Sequence, residues 1–451
     1  MKSDTTKVAH PILGRPLLAW VIDACAKAGI TNLGVVVGNQ ADDIKALAQD
    51  AASSFGYSSV SFALQKERKG TGHALMCARE LIEQSGCQSV LVLFADSPLV
   101  YPETLTSLIS SQQEHGRALE LLSFIAQNPF GYGRIIRDES GAVKRIVEEK
   151  DATDQEKLIA EANAGSCSFD TKALLEHLDS LDNNNAQGEY YMTDMVKIFD
   201  KAGLKVGASL AKTEEEALGV NNRVQLWNAS RILQMRINTQ HMLKGVSFID
   251  PTTSYIGPEV EIGQDSTIWP NTILQGKTFI GSHSNIGPNT RIKDSQIGSS
   301  CTVEESIILE SQIDDEVSIG PRAYLRPQTH MMRGSKAGTH VEIKKSTIKE
   351  GAKVPHLSYI GDSTVGRDAN IGAGTITCNY DGVNKHHTEI GDKAFIGSST
   401  MLVAPVTIGN NSITGAGSVI SKDVPENSLA LERSEQVIKQ DYVLKKRSQD
   451  K

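Results

Sequence analysis

The side chains best placed for chemistry fall in a few short stretches. From Thr377 to Thr388 the chain collects Cys378, Asn379, Tyr380, Asp381, Asn384, Lys385, His386 and His387. From Pro327 to His340 it collects Met331, Met332, Arg333, Gly334 and Lys336. Both stretches interrupt a regular repeat, and segments that leave a regular coil commonly carry its site. Between them stands His356, flanked by Pro355 and Leu357. A neutral imidazole can accept a proton near pH 7, so His356 is a candidate base. Taken alone, a histidine beside Pro355 and Leu357 is more often a structural one. A further candidate is Asp96, just beyond the apolar run Ser89-Val-Leu-Val-Leu-Phe94. If that run is a strand of an open α/β sheet, Asp96 lies past its carboxyl end, where such sheets bind ligands.

The repeat behind the first two stretches begins at Ile256. Ile256, Ile262, Ile268, Leu274, Ile280, Ile286 and Ile292 follow one another every six residues. Gly257, Gly263, Gly281 and Gly287 each come directly after one of them. The pattern resumes through Val365, Ile371, Ile390, Ile396, Leu402, Ile408 and Ile420. Neither a helix nor an ordinary strand has this period. It predicts a parallel β-helix of hexapeptides, with the aliphatic residue inside and the next Gly, Asp or Glu turning the corner.

Upstream, helical and strand patterns alternate. Pro16–Ala28, Ala41–Ala52 and Gly72–Gln84 read as helices, and Leu33–Val37, Val60–Leu64 and Ser89–Phe94 as strands. Such alternation predicts a parallel sheet wrapped by helices. The expected organisation is an α/β domain over 1–221, a helical linker over 222–244, an all-β solenoid over 245–425 and a charged tail over 426–451. A chain of 451 residues is too long for one core. A net charge of −8 argues against general nucleic-acid binding. The six cysteines form no CxxC pair and read as reduced thiols. With neither a long apolar span nor a signal-peptide core, the expectation is a cytoplasmic protein without a membrane anchor.

The ordered series Lys7-Val-Ala-His10-Pro, Gln65, Gly70-Thr-Gly-His73, Asp96, Gly131-Tyr-Gly-Arg134, Glu148, Asn163, Asn183-Asn-Asn-Ala-Gln-Gly-Glu-Tyr-Tyr191 and Gly219-Val-Asn-Asn-Arg223 then points to a family. So do Leu325-Arg-Pro327, Val341-Glu-Ile-Lys-Lys345, His356-Leu-Ser-Tyr359-Ile-Gly-Asp362 and the run from Asn370 to Gly382. The chain closely resembles the bacterial bifunctional N-acetylglucosamine-1-phosphate uridylyltransferases / glucosamine-1-phosphate acetyltransferases, across almost its whole length. The resemblance implies a Rossmann-like nucleotidyltransferase domain, a connecting helix and a left-handed parallel β-helix that trimerises. The implied partners are small molecules: glucosamine 1-phosphate, N-acetylglucosamine 1-phosphate, acetyl-CoA and UTP.

By the same resemblance, His356 is the base for acetyl transfer. Arg326 and Lys344 match its phosphate clamp, and Tyr359, Asn370 and Lys385 match sugar contacts. Ala373, Asn379, Tyr380, Ser398, Ala416 and Arg433 match positions lining the acetyl-CoA groove. For uridylyl transfer, Lys7, Gln65, Gly70 and Thr71 match UTP contacts. Gly133, Glu148, Asn163 and Asn221 match positions that hold N-acetylglucosamine, and Asp96 and Asn221 match ligands of Mg²⁺. The family also has a strand and a Gly-rich loop before the position of Lys7, whereas this sequence opens Met1-Lys-Ser-Asp. Phe94-Ala95 and Ala164 replace the usual Tyr-Gly and Thr. The expectation is therefore either a start that lies too far downstream or an impaired uridylyl transfer. Two alternatives follow: an acetyltransferase with a relict first domain, and a non-catalytic regulatory solenoid.

Overall fold

The computed structural model describes residues 1–38, 42–185 and 187–449; Ala41, Ala186, Asp450 and Lys451, all within stretches singled out above, lie outside the described residues. The chain divides into two compact units, Met1–Leu233 and Gln234–Lys451.

The first unit opens with a short hairpin, β1 (Pro11–Ile12) and β2 (Arg15–Pro16), and helix α1 (Leu17–Lys27). There follow β3 (Gly34–Val37), α2 (Asp42–Ser54), β4 (Ser61–Leu64), α3 (Thr71–Cys77), α4 (Arg79–Ser85) and β5 (Ser89–Val92). The stretch read as one helix, Gly72–Gln84, is thus two. Ala78 tightens the joint, its N–H shared by the carbonyls of Ala74 and Leu75. The remainder is α5 (Pro102–Glu114), β6 (Leu119–Ile125), β7 (Arg134–Arg137), β8 (Val143–Val147), β9 (Glu161–Asp170), α6 (Thr171–His177), α7 (Met195–Lys201) and β10 (Val206–Leu210).

The expected parallel sheet is found only in part. β3 and β4 pair in parallel as a separate two-stranded sheet, and β6 and β10 are also parallel. β9 runs antiparallel to β5, β6 and β7, so the larger sheet, ordered β10-β6-β9-β7-β8 with β5 on β9, is mixed. The cause is legible in the connections. No α-helix separates β7, β8 and β9, and parallel neighbours need a long crossover. β5 also ends at Val92 rather than Phe94, whose ring lies over Gly165. β6 and β9 are buried along nearly their whole length. Phe169 of β9 packs edge-on against Phe199 of α7, with Leu174, Met195 and Val196 in the same core.

Helix α8 (Arg223–Leu243) runs across the division between the units. In the second unit its Gln234 and Asn238 are fully buried amides. Gln234 Nε2 donates to the carbonyls of Pro251, Thr252 and Ser254, and Asn238 Nδ2 to those of Pro251 and Ser254 at 2.8 and 3.0 Å. These amides satisfy main-chain carbonyls at the open first coil, which no preceding coil can do.

The solenoid forms three parallel sheets of 11, 10 and 9 short strands. Ile256, Ile268, Leu274, Ile280, Ile286 and Ile292 are all 0% exposed, as the hexads predict. The corner is built differently from the reading above. The left-handed turn residue, such as Asp265, Asn271, His283 or Asn289, comes three places after the aliphatic. The glycine directly after it is required by close approach instead. A Cβ on Gly263 would lie 2.6 Å from the Ser282 nitrogen of the next coil. Two places before many of the aliphatics stands a small buried serine or threonine whose hydroxyl is satisfied by main chain; Ser266 Oγ donates to the Gly281 carbonyl at 2.9 Å, whereas Val260, Val317 and Val341 fill the same place with an apolar side chain.

The two expected interruptions also differ. Pro327–His340 stays in the coil: His330–Met331 and Lys336–Thr339 are ladder strands, and Met331 is 0% exposed. Methionine fills an interior position there without breaking the column. Thr377–Thr388 does leave the coil, closed by a bridge between Tyr380 and Lys385. The ladder itself runs on to Leu429–Ala430, beyond the expected end at 425.

Candidate active sites

In the first unit, residues far apart in sequence converge around the end of β5. Val220 N–H donates to the Asp96 carbonyl at 2.9 Å, which fastens the segment before α8 to the turn after β5. The Lys7 ammonium then donates to Asp96 Oδ2 and, at 2.9 Å, to Asn221 Oδ1. Two hard oxygens thus meet on one cation. Among the described residues no group of three His, Cys, Asp or Glu side chains could hold a metal ion. A metal on Asp96 and Asn221 would therefore take its other ligands from water and phosphate oxygens, which suits Mg²⁺.

A second set surrounds the start of α3. Gly70 has φ +100°, and a Cβ there would lie 3.0 Å from Glu189 Cβ and closer still to the Tyr190 carbonyl, so glycine is required. Gln65 Nε2 donates to the Gly70 carbonyl at 3.0 Å and lies 3.2 Å from His73 Nδ1. Thr71 Oγ1 accepts the Met192 N–H at 3.1 Å. The next residue, Thr193, donates its hydroxyl to Glu148 Oε1 at 3.1 Å. Consecutive residues thereby join this set to a third one. There, Asn163 N–H donates to the Gly133 carbonyl at 2.8 Å, and a Cβ on Gly133 would crowd Ile146 and Glu148. Burial pushes the Glu148 carboxyl above its ordinary value; the Thr193 hydrogen bond opposes this, and Asp151 and Asp194 add to it. Gly165, at φ +86°, lets the Phe94 ring lie against the Asn163 segment, which links this set back to the strand end before Asp96.

In the solenoid the candidate residues stand in columns. Glu342, Ile343 and Lys344 pair with Tyr359, Ile360 and Gly361 one coil on. Tyr324 and Leu325, which precede Arg326, pair with Glu342 and Ile343. Arg326 Nη1 donates to Glu342 Oε1 at 2.9 Å, and that carboxylate holds the guanidinium charged. Lys344 Nζ lies 3.7 Å from Asp362 Oδ2, to which Asn379 Nδ2 donates at 2.6 Å. Lys385, on the loop beyond Asn379, is exposed; the neighbouring Lys344 ammonium pushes its proton affinity down, and Asp362 and Tyr359 push it back up. Arg326, Lys344, Tyr359, Asn379, Tyr380 and Lys385 are therefore gathered on one sheet and the loop it carries.

The other solenoid candidates lie along an adjoining corner. His356 is exposed and stacks one coil beyond Thr339, three residues before Tyr359. Asn370 pairs with Lys353 on the sheet that leads into this corner. Ala373, Ser398 and Ala416 each follow a glycine, Gly372, Gly397 or Gly415, whose N–H bonds to the coil beyond. Ser399 N–H donates to the Ala373 carbonyl at 2.7 Å and Gly417 N–H to that of Ser398 at 2.8 Å, so these turns stack in order. Arg433 lies beside Gly417, next in the same column, and is exposed. Over successive coils the candidates thus fall on a cationic sheet face and on an adjoining corner. Sequence reasoning gave no role to Asp362 and Glu342. Each stands in a quoted motif, and its charge opposite to the neighbouring Lys or Arg was the available signal.

Comparison with known proteins agrees with both regions. The nucleotidyl transferase family matches residues 3–217, and the bacterial transferase hexapeptide family (six repeats) matches residues 387–422. The chain is 48% identical over 443 residues to the bifunctional protein GlmU of Thermoanaerobacter pseudethanolicus, covering 98% of this chain and 94% of that one. It is 47% identical to the bifunctional protein GlmU of Carboxydothermus hydrogenoformans, covering 98% and 97%, and 45% identical to that of Clostridium novyi, covering 99% and 96%. The chain belongs to the bifunctional GlmU family.

Proposed function

We propose that this chain makes UDP-N-acetylglucosamine in two steps at two separate sites. The solenoid acetylates glucosamine 1-phosphate with acetyl-CoA. The first unit then transfers UMP from UTP to N-acetylglucosamine 1-phosphate, with release of pyrophosphate. The product feeds peptidoglycan and lipopolysaccharide synthesis. The observation that carries this reading is that a member of the family gathers two distinct charged constellations, Lys7–Asp96–Asn221 in one unit and Arg326–Lys344–Lys385 in the other.

In acetyl transfer the sugar amine attacks the thioester carbonyl, its proton passes to His356, and CoA leaves as the thiol. His356 suits the role because it is exposed and its imidazole has no side-chain hydrogen-bond partner among the described residues. Arg326, Lys344 and Lys385 neutralise the sugar phosphate, while Tyr359 and Asn370 orient the ring. Ala373, Ser398, Ala416 and Arg433 along the corner, with Asn379 and Tyr380 of the loop, form the acetyl-CoA groove. In uridylyl transfer a phosphate oxygen of the sugar attacks the α-phosphorus of UTP. That oxygen is already anionic, so no base is needed and positioning carries the rate. Gln65, Gly70 and Thr71 hold the uridine; Gly133, Glu148, Asn163 and Asn221 hold the sugar. Asp96 and Asn221 would hold Mg²⁺, which when bound neutralises charge on the phosphates. Lys7, already on both oxygens, contacts the triphosphate.

The active form in this reading is a homotrimer, because in this family the acetyl-CoA groove lies between adjacent coils. In support, Phe395, Ile413 and Leu429 form an exposed apolar column along one sheet. The expected setting is the cytoplasm, with small molecules as the only substrates. All six cysteines are free, and no described helix is long and apolar enough to cross a membrane. The test is a pair of assays on the full chain: CoA release from acetyl-CoA plus glucosamine 1-phosphate, and Mg²⁺-dependent pyrophosphate release from UTP plus N-acetylglucosamine 1-phosphate. Absence of either activity removes that half of the reading. Light scattering of the purified chain should give three times the 48.7 kDa chain mass.

A further inference from the structure

Two lysines lie against one buried carboxylate, and a third feels its charge. Asp362 is 7% exposed and sits in a left-handed turn at φ 47°. Its Oδ2 accepts from Asn379 Nδ2 at 2.6 Å and lies 3.7 Å from Lys344 Nζ; its Oδ1 lies 3.7 Å from Lys345 Nζ. Its main-chain carbonyl accepts the Thr388 N–H at 3.2 Å. Asp362 therefore grips the catalytic loop at both ends, through Asn379 where the loop leaves the coil and through Thr388 where it returns. Lys385, three residues before Thr388, is brought beside Lys344.

The distances decide what kind of contact this is. At 3.7 Å the Lys344–Asp362 pair is outside hydrogen-bond length, so Asp362 supplies countercharge without occupying the ammonium N–H donors. The hydrogen bond is made instead to a neutral amide, Asn379. Glu342 is engaged by Arg326. Two ammonium groups held together repel, and a buried carboxylate near both offsets that cost more strongly than an exposed one, because it is screened less.

We infer that Asp362 is a positioning residue for acetyl transfer: it holds Lys344 and Lys385 together as one phosphate-binding pair and leaves their donors free for the sugar phosphate. This inference rests on the proposed acetyltransferase reading of the solenoid. The charged and titratable groups acting on Lys385 are Lys344, Asp362 and Tyr359 from the coil; Lys345 reaches the same Asp362, and Asp381 and His386 of the loop pair with each other.

The test compares the 451-residue chain with Asp362→Asn and Asp362→Glu. Asp362→Asn keeps an acceptor for Asn379 and removes the charge. Its KM for glucosamine 1-phosphate should rise about tenfold or more, with kcat within about threefold, since ground-state phosphate binding is what is lost. Its alkaline loss of kcat/KM should begin at lower pH, because Lys385 sheds its proton more easily without the countercharge. Asp362→Glu should recover part of both. Unchanged KM and pH profile in an active Asp362→Asn variant would overturn the inference. So would a fall in kcat and melting temperature alone, or failure of both variants to fold, since each assigns Asp362 to the fold. If the unmodified chain shows no acetyl transfer, the catalytic reading fails separately. Calorimetry with glucosamine 1-phosphate then decides for Asp362: retained binding by the unmodified chain, weakened in Asp362→Asn, sustains the inference, and equal binding by both ends it.

Discussion

The two units assemble their sites by opposite means. In the first, Lys7, Asp96, Glu148, Asn163 and Asn221 come from almost the whole length of the unit and meet through contacts particular to each pair. In the solenoid, Arg326, Lys344 and Gly361 meet because successive coils stack in register. One site depends on a few individual joints, such as Thr71 with Met192 and Phe94 over Gly165. The other depends on a ladder in which most joints are alike. Damage should therefore be local and specific in the first unit, and in the solenoid should fall either on a single outward side chain or on the register itself.

The largest expected effect tests whether the two sites are independent. His356→Ala should lower CoA release by about 10²- to 10⁴-fold, the usual contribution of a general base, while pyrophosphate release from UTP stays unchanged. A parallel loss of both would show the units to be coupled. Asp96→Ala should do the reverse, lowering pyrophosphate release by roughly 10²-fold and sparing acetyl transfer, since removing one oriented charged group at a reacting phosphate costs on that order. Ile343→Ala probes the ladder. Ile343 is 0% exposed between Leu325 and Ile360, so the cavity should cost about 2–5 kcal/mol, read as a lower melting temperature of acetyl transfer with uridylyl transfer retained.

Gly165→Ala probes a single joint. A Cβ there would overlap the Phe94 ring, and φ +86° disfavours any other residue. We expect a loss of about 1–3 kcal/mol in stability and a raised KM for N-acetylglucosamine 1-phosphate. Phe94→Ala in the same background should recover part of it. The smallest effect concerns pH. Because the Glu148 carboxyl titrates above the ordinary glutamate value, acidification should deplete its charged form earlier than that of an exposed glutamate. KM for N-acetylglucosamine 1-phosphate should therefore rise as pH falls, by about twofold where half the carboxyl is protonated. Glu148→Gln should abolish that pH dependence.

Legibility followed the same division. The interior column from Ile256 to Ile292 could be read directly, because a period of six leaves one aliphatic per turn. The mixed sheet could not, because strand direction depends on how β7, β8 and β9 connect, which alternation alone does not encode. Met331 misled for a related reason: a flexible thioether inside the coil looks like a departure from an aliphatic column. Asp362 and Glu342 went without roles because their partners lie one coil away, a distance the repeat hides. The motif residues that resemblance supplied do lie in coherent groups, yet nothing in their spacing placed Met192 and Thr193 as the link between two of them.

Across the loop, Arg367 N–H bonds to Asp392, 25 positions ahead, whereas on the next coil Asp392 N–H bonds to Asn410, 18 ahead. Seven additional residues are absorbed at one corner, and the coils on either side keep their alignment. The solenoid thus behaves as a rack with interchangeable fittings. A new segment hung from a corner alters what the molecule can recognise without asking the rest of the sequence to adjust. Redesign of this half for another acceptor could therefore begin by exchanging residues 379–387 as a cassette.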